Sequence, residues 1–195
     1  MNLTVQRSFE PELMDVAEGR TLMLRLVPYG VPTMVRDMTP GGDWGRPYRE
    51  GFDPGAMSEA IGNHVTERMR MALTAGHSDD PWRDVGRATE LTEDASGAYG
   101  AFVVDESSFG DHLLAKVRTR QWRGVSVKAV VRASRKDTDG IVWRTKVHPI
   151  HAAITEHPAY IDAQVLALRA LSSGSATPLL DAWLDKYPLP EATST

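Results

Sequence analysis

Short runs of alternating or branched apolar residues, each closed by a turn signal, recur along this chain of 195 residues. "RTLMLRLVPY" alternates apolar and polar side chains and predicts a strand over residues 20–29. "ERMRMALTAG" predicts a strand ending at Gly76. "VGRATELTED" and "GAYGAFVVDE" flank Ala95-Ser96-Gly97 and predict a hairpin. "RGVSVKAVVRAS" and "GIVWRTKVHPIHAAI" flank the polar turn from Arg135 to Gly140 and predict a second one. "IDAQVLALRAL" is ambiguous between strand and helix. Many short strands between turns favour a closed or nearly closed β-barrel over a sheet built from βαβ units. The expected class is mostly β with inserted helices, α+β.

The helices are fewer. In "SSFGDHLLAKVRTRQ", Leu113, Leu114 and Val117 share one face and predict a helix. "EGFDPGAMSEAIGNHV" predicts a turn and a short helix, with Asp53 as N-cap and Pro54 as first helical residue. Residues 30–47, rich in Gly and Pro, predict a long loop. The expected division is a barrel over 1–171 and, over 172–195, the linker "SSGSAT" followed by a short C-terminal helix. In that helix Leu179, Leu180, Trp183 and Leu184 form one stripe. The stripe covers the barrel's own core or docks on a partner, and the segment is a candidate for removal.

Composition narrows the function classes. A formal net charge of −4 argues against a nucleic-acid-binding surface, since such surfaces are usually basic. With no cysteine there is no disulfide framework, thiolate nucleophile or Cys-based zinc site. No apolar run approaches a transmembrane length of roughly 18 residues. "MNLTVQRSFEPELMDV" carries acids where a signal peptide has its apolar stretch. The expectation is a soluble, intracellular protein with no nucleic-acid or membrane partner.

The candidates for chemistry are the six histidines and Ser126. His64 closes a short helix, where a cation suits the dipole; His112 lies beside Asp111 in a predicted surface helix; His157 precedes a proline. His77 follows a glycine at a strand end, which places an imidazole at a barrel rim. Asp79, Asp80 and Asp84 make a metal loop there conceivable, but their spacing is not that of a calcium loop. His148 and His151 stand i, i+3, which sends them to opposite faces of a regular strand. Ser126 is the odd polar residue of "RQWRGVSVKAVV", and Gly124, two places earlier, leaves room for a substrate backbone. A serine hydroxyl needs an adjacent base, and that base needs a third group to fix its tautomer. Ser126 fits the first role, His77 the second, and His151, Glu156 or an Asp the third. Arg123, Lys128 and Arg132 serve substrate contacts or form a solvated strand face.

Four blocks in order carry a resemblance: "EGFDPGAM", "AGHSDDPWRDVGRATELTEDASGAYGAFVVDES", "GDHLLAKVRTRQWRGVSV" and "PAYIDAQV". Together, from about residue 20 to residue 170, they resemble the prohead proteases of tailed bacteriophages and, more distantly, the herpesvirus assemblins. The resemblance implies a herpesvirus-protease-like barrel and a serine endopeptidase that cleaves a capsid precursor or scaffold segment during prohead maturation. It places the general base on His77 and the nucleophile on Ser126. The third position, some seven residues before Pro-Ala-Tyr, holds His151, where many phage members have Glu and the assemblins His; Glu156 is the reserve. It further implies a homodimer, no cofactor or metal, and a place in the host cytoplasm inside the assembling procapsid. Two rivals stand beside it: an inactive scaffold or structural protein with the same barrel, and a metal-dependent hydrolase built on His77, His151 and the Asp79–Asp84 cluster.

Overall fold

The structure, a computed structural model, describes residues 3–9, 19–37, 45–65, 70–76, 84–155 and 165–169, the first and last of these as backbone. Among the described residues, ten strands and two helices follow in the order β1 (Leu3–Phe9), β2 (Thr21–Pro28), β3 (Thr33–Val35), β4 (Tyr48–Phe52), α1 (Ser58–Val65), β5 (Ala72–Ala75), β6 (Asp84–Glu93), β7 (Gly97–Val104), α2 (Ser108–Arg118), β8 (Gly124–Lys136), β9 (Val142–Thr155) and β10 (Val165–Arg169). One mixed sheet runs β1-β8-β9-β5-β6-β7-β2-β10, with β3 and β4 attached off this path through β9. The α+β expectation holds. The end strands β1 and β10 do not pair with each other, so among the described residues the hydrogen-bonded ladder does not close into a barrel.

The hairpin of β8 and β9 is the spine of the sheet. Its turn is organised by Asp137, whose Oδ1 accepts the N–H groups of Asp139 (3.0 Å) and Ile141 (2.9 Å) while Oδ2 accepts Trp143 Nε1 (2.8 Å). Gly140 completes the turn at φ 79°, a conformation glycine adopts without cost. β9 is long enough to pair in parallel with β4 through Val142–Arg144 and with β5 through His151–Ile154. Val125, Val127, Ala129, Val147, Ala152 and Ile154 turn one face of the hairpin to the core, where Leu73, Phe102 and the α2 residues Leu113, Leu114 and Val117 meet them. Ser107 caps α2 by accepting the Gly110 N–H at 3.1 Å.

Several elements differ from the sequence reading. Residues 33–35 within the expected loop form β3, and the Glu-Gly-Phe taken for a turn is the end of β4. Both are short, and pairing with each other and with β9 rather than local propensity decides them. Gly51 faces Trp143 so closely that a Cβ there would lie 2.5 Å from the indole Cζ3. The helix begins at Ser58, so Asp53 is not its N-cap; Asp53 instead receives the Arg135 guanidinium in a fork, Nε to Oδ2 at 2.8 Å and Nη2 to Oδ1 at 2.7 Å. The first strand, β1, and the strand assignment of 165–169 resolve segments that periodicity left open. The expected linker and C-terminal helix over 172–195 lie outside the described residues. No helix among the described residues is long and apolar enough to cross a membrane.

Candidate active site

Ser126 lies near the start of β8, paired with Ser8 of β1 on one side and Ala153 of β9 on the other. Its neighbours in sequence, Val125 and Val127, belong to the core, so alternation turns the Ser126 side chain to the opposite face. Ala153 in turn pairs with Thr74 of β5. Ser8, Ser126, Ala153 and Thr74 therefore form one cross-strand row, and the Ser126 and Thr74 side chains emerge on one face. Ser126 is fully buried, at 0% exposure, and Thr74 is at 1%. Gly124 starts the strand two residues earlier on the same face as Ser126, opposite Thr155.

His151 lies in the next row. It pairs with Lys128 across β8 and with Ala72 across β5, and is 6% exposed. Ser126 and Lys128 share a face, so His151 shares it too. Ser126 and His151 are diagonal neighbours, a separation of about 7–8 Å in such a ladder. Regular alternation alone would not give this outcome together with the placement of His148. The register shifts between Lys128 and Ala129: Ala129 pairs with Pro149, Lys128 with His151, and Ile150 is the extra residue. His148, opposite Val130, and His151, opposite Lys128, consequently face the same way, contrary to the opposite faces expected of an i, i+3 pair.

The described chain reaches Gly76, immediately before His77. Gly76 follows β5 with φ 73°, and its N–H donates to the Ile154 carbonyl at 2.9 Å. The Thr74 hydroxyl donates to the Gly76 carbonyl at 2.8 Å and approaches the Ala152 carbonyl at 3.4 Å. His77, Asp79, Asp80 and Glu156 lie outside the described residues, as does His157. Thr74 was not singled out from the sequence; the hint was a threonine two residues before the glycine of "TAGH".

The remaining sequence candidates fall elsewhere. His64 lies in the last turn of α1, and His112 meets Trp122 edge-on with ring centroids 5.9 Å apart. Arg132 and Lys128 are on β8, Arg132 exposed and Lys128 half-buried. A separate buried ion pair lies at the other end of β9, where Arg144 Nε donates to Glu50 Oε2 at 2.6 Å. Arg144 also reaches the Tyr48 hydroxyl (2.8 Å) and Ser134 Oγ (3.1 Å), and Tyr48 in turn donates to Asp37. Both partners are nearly inaccessible, Glu50 at 0% and Arg144 at 4%. Among the described residues no three His, Asp or Glu side chains are gathered as a metal site would require.

No family model matches this chain, and no curated protein matches its sequence. Among solved structures, the bacteriophage T4 capsid assembly protease gp21 aligns with 73% of this chain and 100% of its own, at 14% identity and a TM-score of 0.45.

Proposed function

We propose that the chain is a serine endopeptidase of the prohead-protease type, cleaving a capsid precursor or scaffold segment during maturation. The observation that carries this reading is the placement of Ser126 and His151 as diagonal neighbours on the non-core face of the β8–β9 ladder. It is joined by the four ordered sequence blocks that resemble that family.

In this mechanism His77 takes the proton of Ser126 Oγ as Oγ attacks a peptide carbonyl, then returns it to the leaving amine as the acyl-enzyme forms. Water, deprotonated by the same imidazole, releases the acyl group. His151 accepts the other N–H of His77 and holds its tautomer; Glu156 is the reserve for that role. A neutral third member stabilises the imidazolium less than a carboxylate would, so a slow enzyme is expected. Confinement with substrate inside a procapsid, at high effective concentration, offsets slow turnover. The full burial of Ser126 means that a substrate must open the site before attack. It also favours a second reading, a catalytically inert procapsid scaffold with the same fold. Homodimerisation belongs to the first reading; a host-cytoplasmic, procapsid setting is common to both.

Co-expression of native and Ser126→Ala chains with the capsid precursor, read by intact mass, separates the two. The protease reading expects a truncated precursor with the native chain only. Cleavage surviving in Ser126→Ala removes the nucleophile assignment, and no cleavage by either chain supports the scaffold.

A further inference from the structure

We propose that Thr74 is a positioning residue for the His77 base, an inference that rests on the protease reading above. Thr74 is a buried polar residue on β5, in the same cross-strand row as Ser126 and with its side chain on the same face. Its hydroxyl bonds to the backbone. It donates to the carbonyl of Gly76 at 2.8 Å, two residues along the chain and just past the end of β5. That carbonyl belongs to the peptide unit whose nitrogen is that of His77. Because the unit is planar, fixing the C=O direction fixes the direction in which the chain leaves toward His77.

Gly76 is held in two further ways. Its N–H is tied to the Ile154 carbonyl at 2.9 Å, which anchors it to β9 beside Ala153, the residue between Thr74 and Ser126. Its φ of 73° is in the left-handed region, and a Cβ there would meet nothing within 4 Å. Backbone conformation, not lack of space, is therefore what calls for glycine. A strand end that merely stopped would need none of these restraints. Together they orient Gly76, the residue that follows β5, and among the described residues the Thr74 hydroxyl is the restraint supplied by a side chain.

The test uses purified full-length chains and purified capsid precursor, with cleavage followed by intact mass over a range of precursor concentrations and pH. Thr74→Val keeps the shape and removes the donor; Thr74→Ser keeps the donor. Thr74→Val is expected to lower kcat by about 10- to 100-fold, the scale of imperfectly oriented general-base catalysis, with KM within about twofold. It should also blunt the rise of rate with pH that a histidine base imposes. Thr74→Ser should restore kcat to within about threefold of native. If Thr74→Val cleaves within twofold of native, or if Thr74→Ser loses as much as Thr74→Val, the positioning role is overturned. Where valine prevents folding, Thr74→Ala against Thr74→Ser gives the same comparison. Ser126→Ala runs alongside: if it still cleaves, the protease reading itself fails, whereas an inactive Ser126→Ala with an unaffected Thr74→Val sinks only the positioning role.

Discussion

Ser126 and His151 are diagonal neighbours across the β8–β9 ladder, and the bulge at Ile150 sets which other histidine accompanies them on that face. Val147 and Pro149 are buried on the core side of the first part of β9, and Ala152 and Ile154 on the core side of the second. The change from odd to even positions takes place at the extra residue. Without it, His151 would point into the core whenever Val147 did. The bulge is thus what allows one strand to bury both apolar halves and still present His151 beside Ser126.

If the proposed protease reading holds, His151→Ala reduces cleavage of the capsid precursor by about 10²- to 10⁴-fold while leaving a folded protein, on the scale seen when the orienting member of a triad is lost. Glu156→Ala should change the rate by less than about threefold. Time courses by intact mass, with circular dichroism as the folding control, check both. The reverse ranking transfers the third role to Glu156.

Much of this arrangement was legible in the residues, and what was not has a physical reason. The β8–β9 hairpin announces itself because branched runs flank a turn whose Asp137 and Gly140 have a definite task. The α2 face is legible because Leu113, Leu114 and Val117 recur at helical spacing and all three are buried. β3 and β4 are not legible, since three- and five-residue strands gain their stability from partners distant in sequence. The face of His148 is not legible either, because a bulge is a property of the register between two strands and leaves no periodicity in one. Thr74 escaped for a related reason: the role proposed for it rests on a hydroxyl bond to a backbone carbonyl, which a threonine in a strand does not advertise.

Burial, followed by the hydrogen bond to Glu93, raises the pKa of the Tyr29 phenol well above its ordinary value. Its hydroxyl donates to Glu93 Oε2 at 2.5 Å and accepts the Met57 N–H at 3.3 Å, joining β2, β6 and the turn before α1. A pKa higher in the folded than in the unfolded chain gives stability that is complete below the unfolded value, near 10, and is lost as pH rises above it. Urea midpoints between about pH 8 and 11 should therefore fall for the native chain. In Tyr29→Phe they should fall less steeply, the difference approaching 1.4 kcal/mol per pH unit at most. Parallel curves would remove Tyr29 from the alkaline transition.

Breaking the Glu50–Arg144 pair should be costly and replacing it should not. Glu50→Ala leaves a guanidinium with 4% exposure without its carboxylate, a loss of about 3–5 kcal/mol. For a chain of this size that corresponds to a fall in melting temperature on the order of 10 °C. The double variant Glu50→Leu with Arg144→Met removes both charges and both desolvation penalties, and should recover most of the loss. Thermal melts of the two variants decide it: equal destabilisation would mean that hydrogen bonds to Tyr48 and Ser134, rather than the charge pair, carry the site.

Arg120 offers the opposite case, a place where the native residue is unfavourable. It follows α2 with φ 58°, the non-glycine residue with positive φ among those described. Its N–H donates to the Val117 carbonyl at 2.9 Å, and the Gln121 N–H donates to that of Lys116 at 2.9 Å. These are the two bonds of a Schellman motif, whose left-handed position glycine usually occupies. A Cβ in that conformation costs about 1–2 kcal/mol. Glycine relieves this but gives back about 0.4–1 kcal/mol through the greater freedom of the unfolded chain. Arg120→Gly should accordingly stabilise by about 0.5–1 kcal/mol, raising the melting temperature by about 1–4 °C. Arg120→Ala keeps the Cβ and should give no such gain. If alanine stabilises as much as glycine, the benefit comes from removing the guanidinium and not from the backbone.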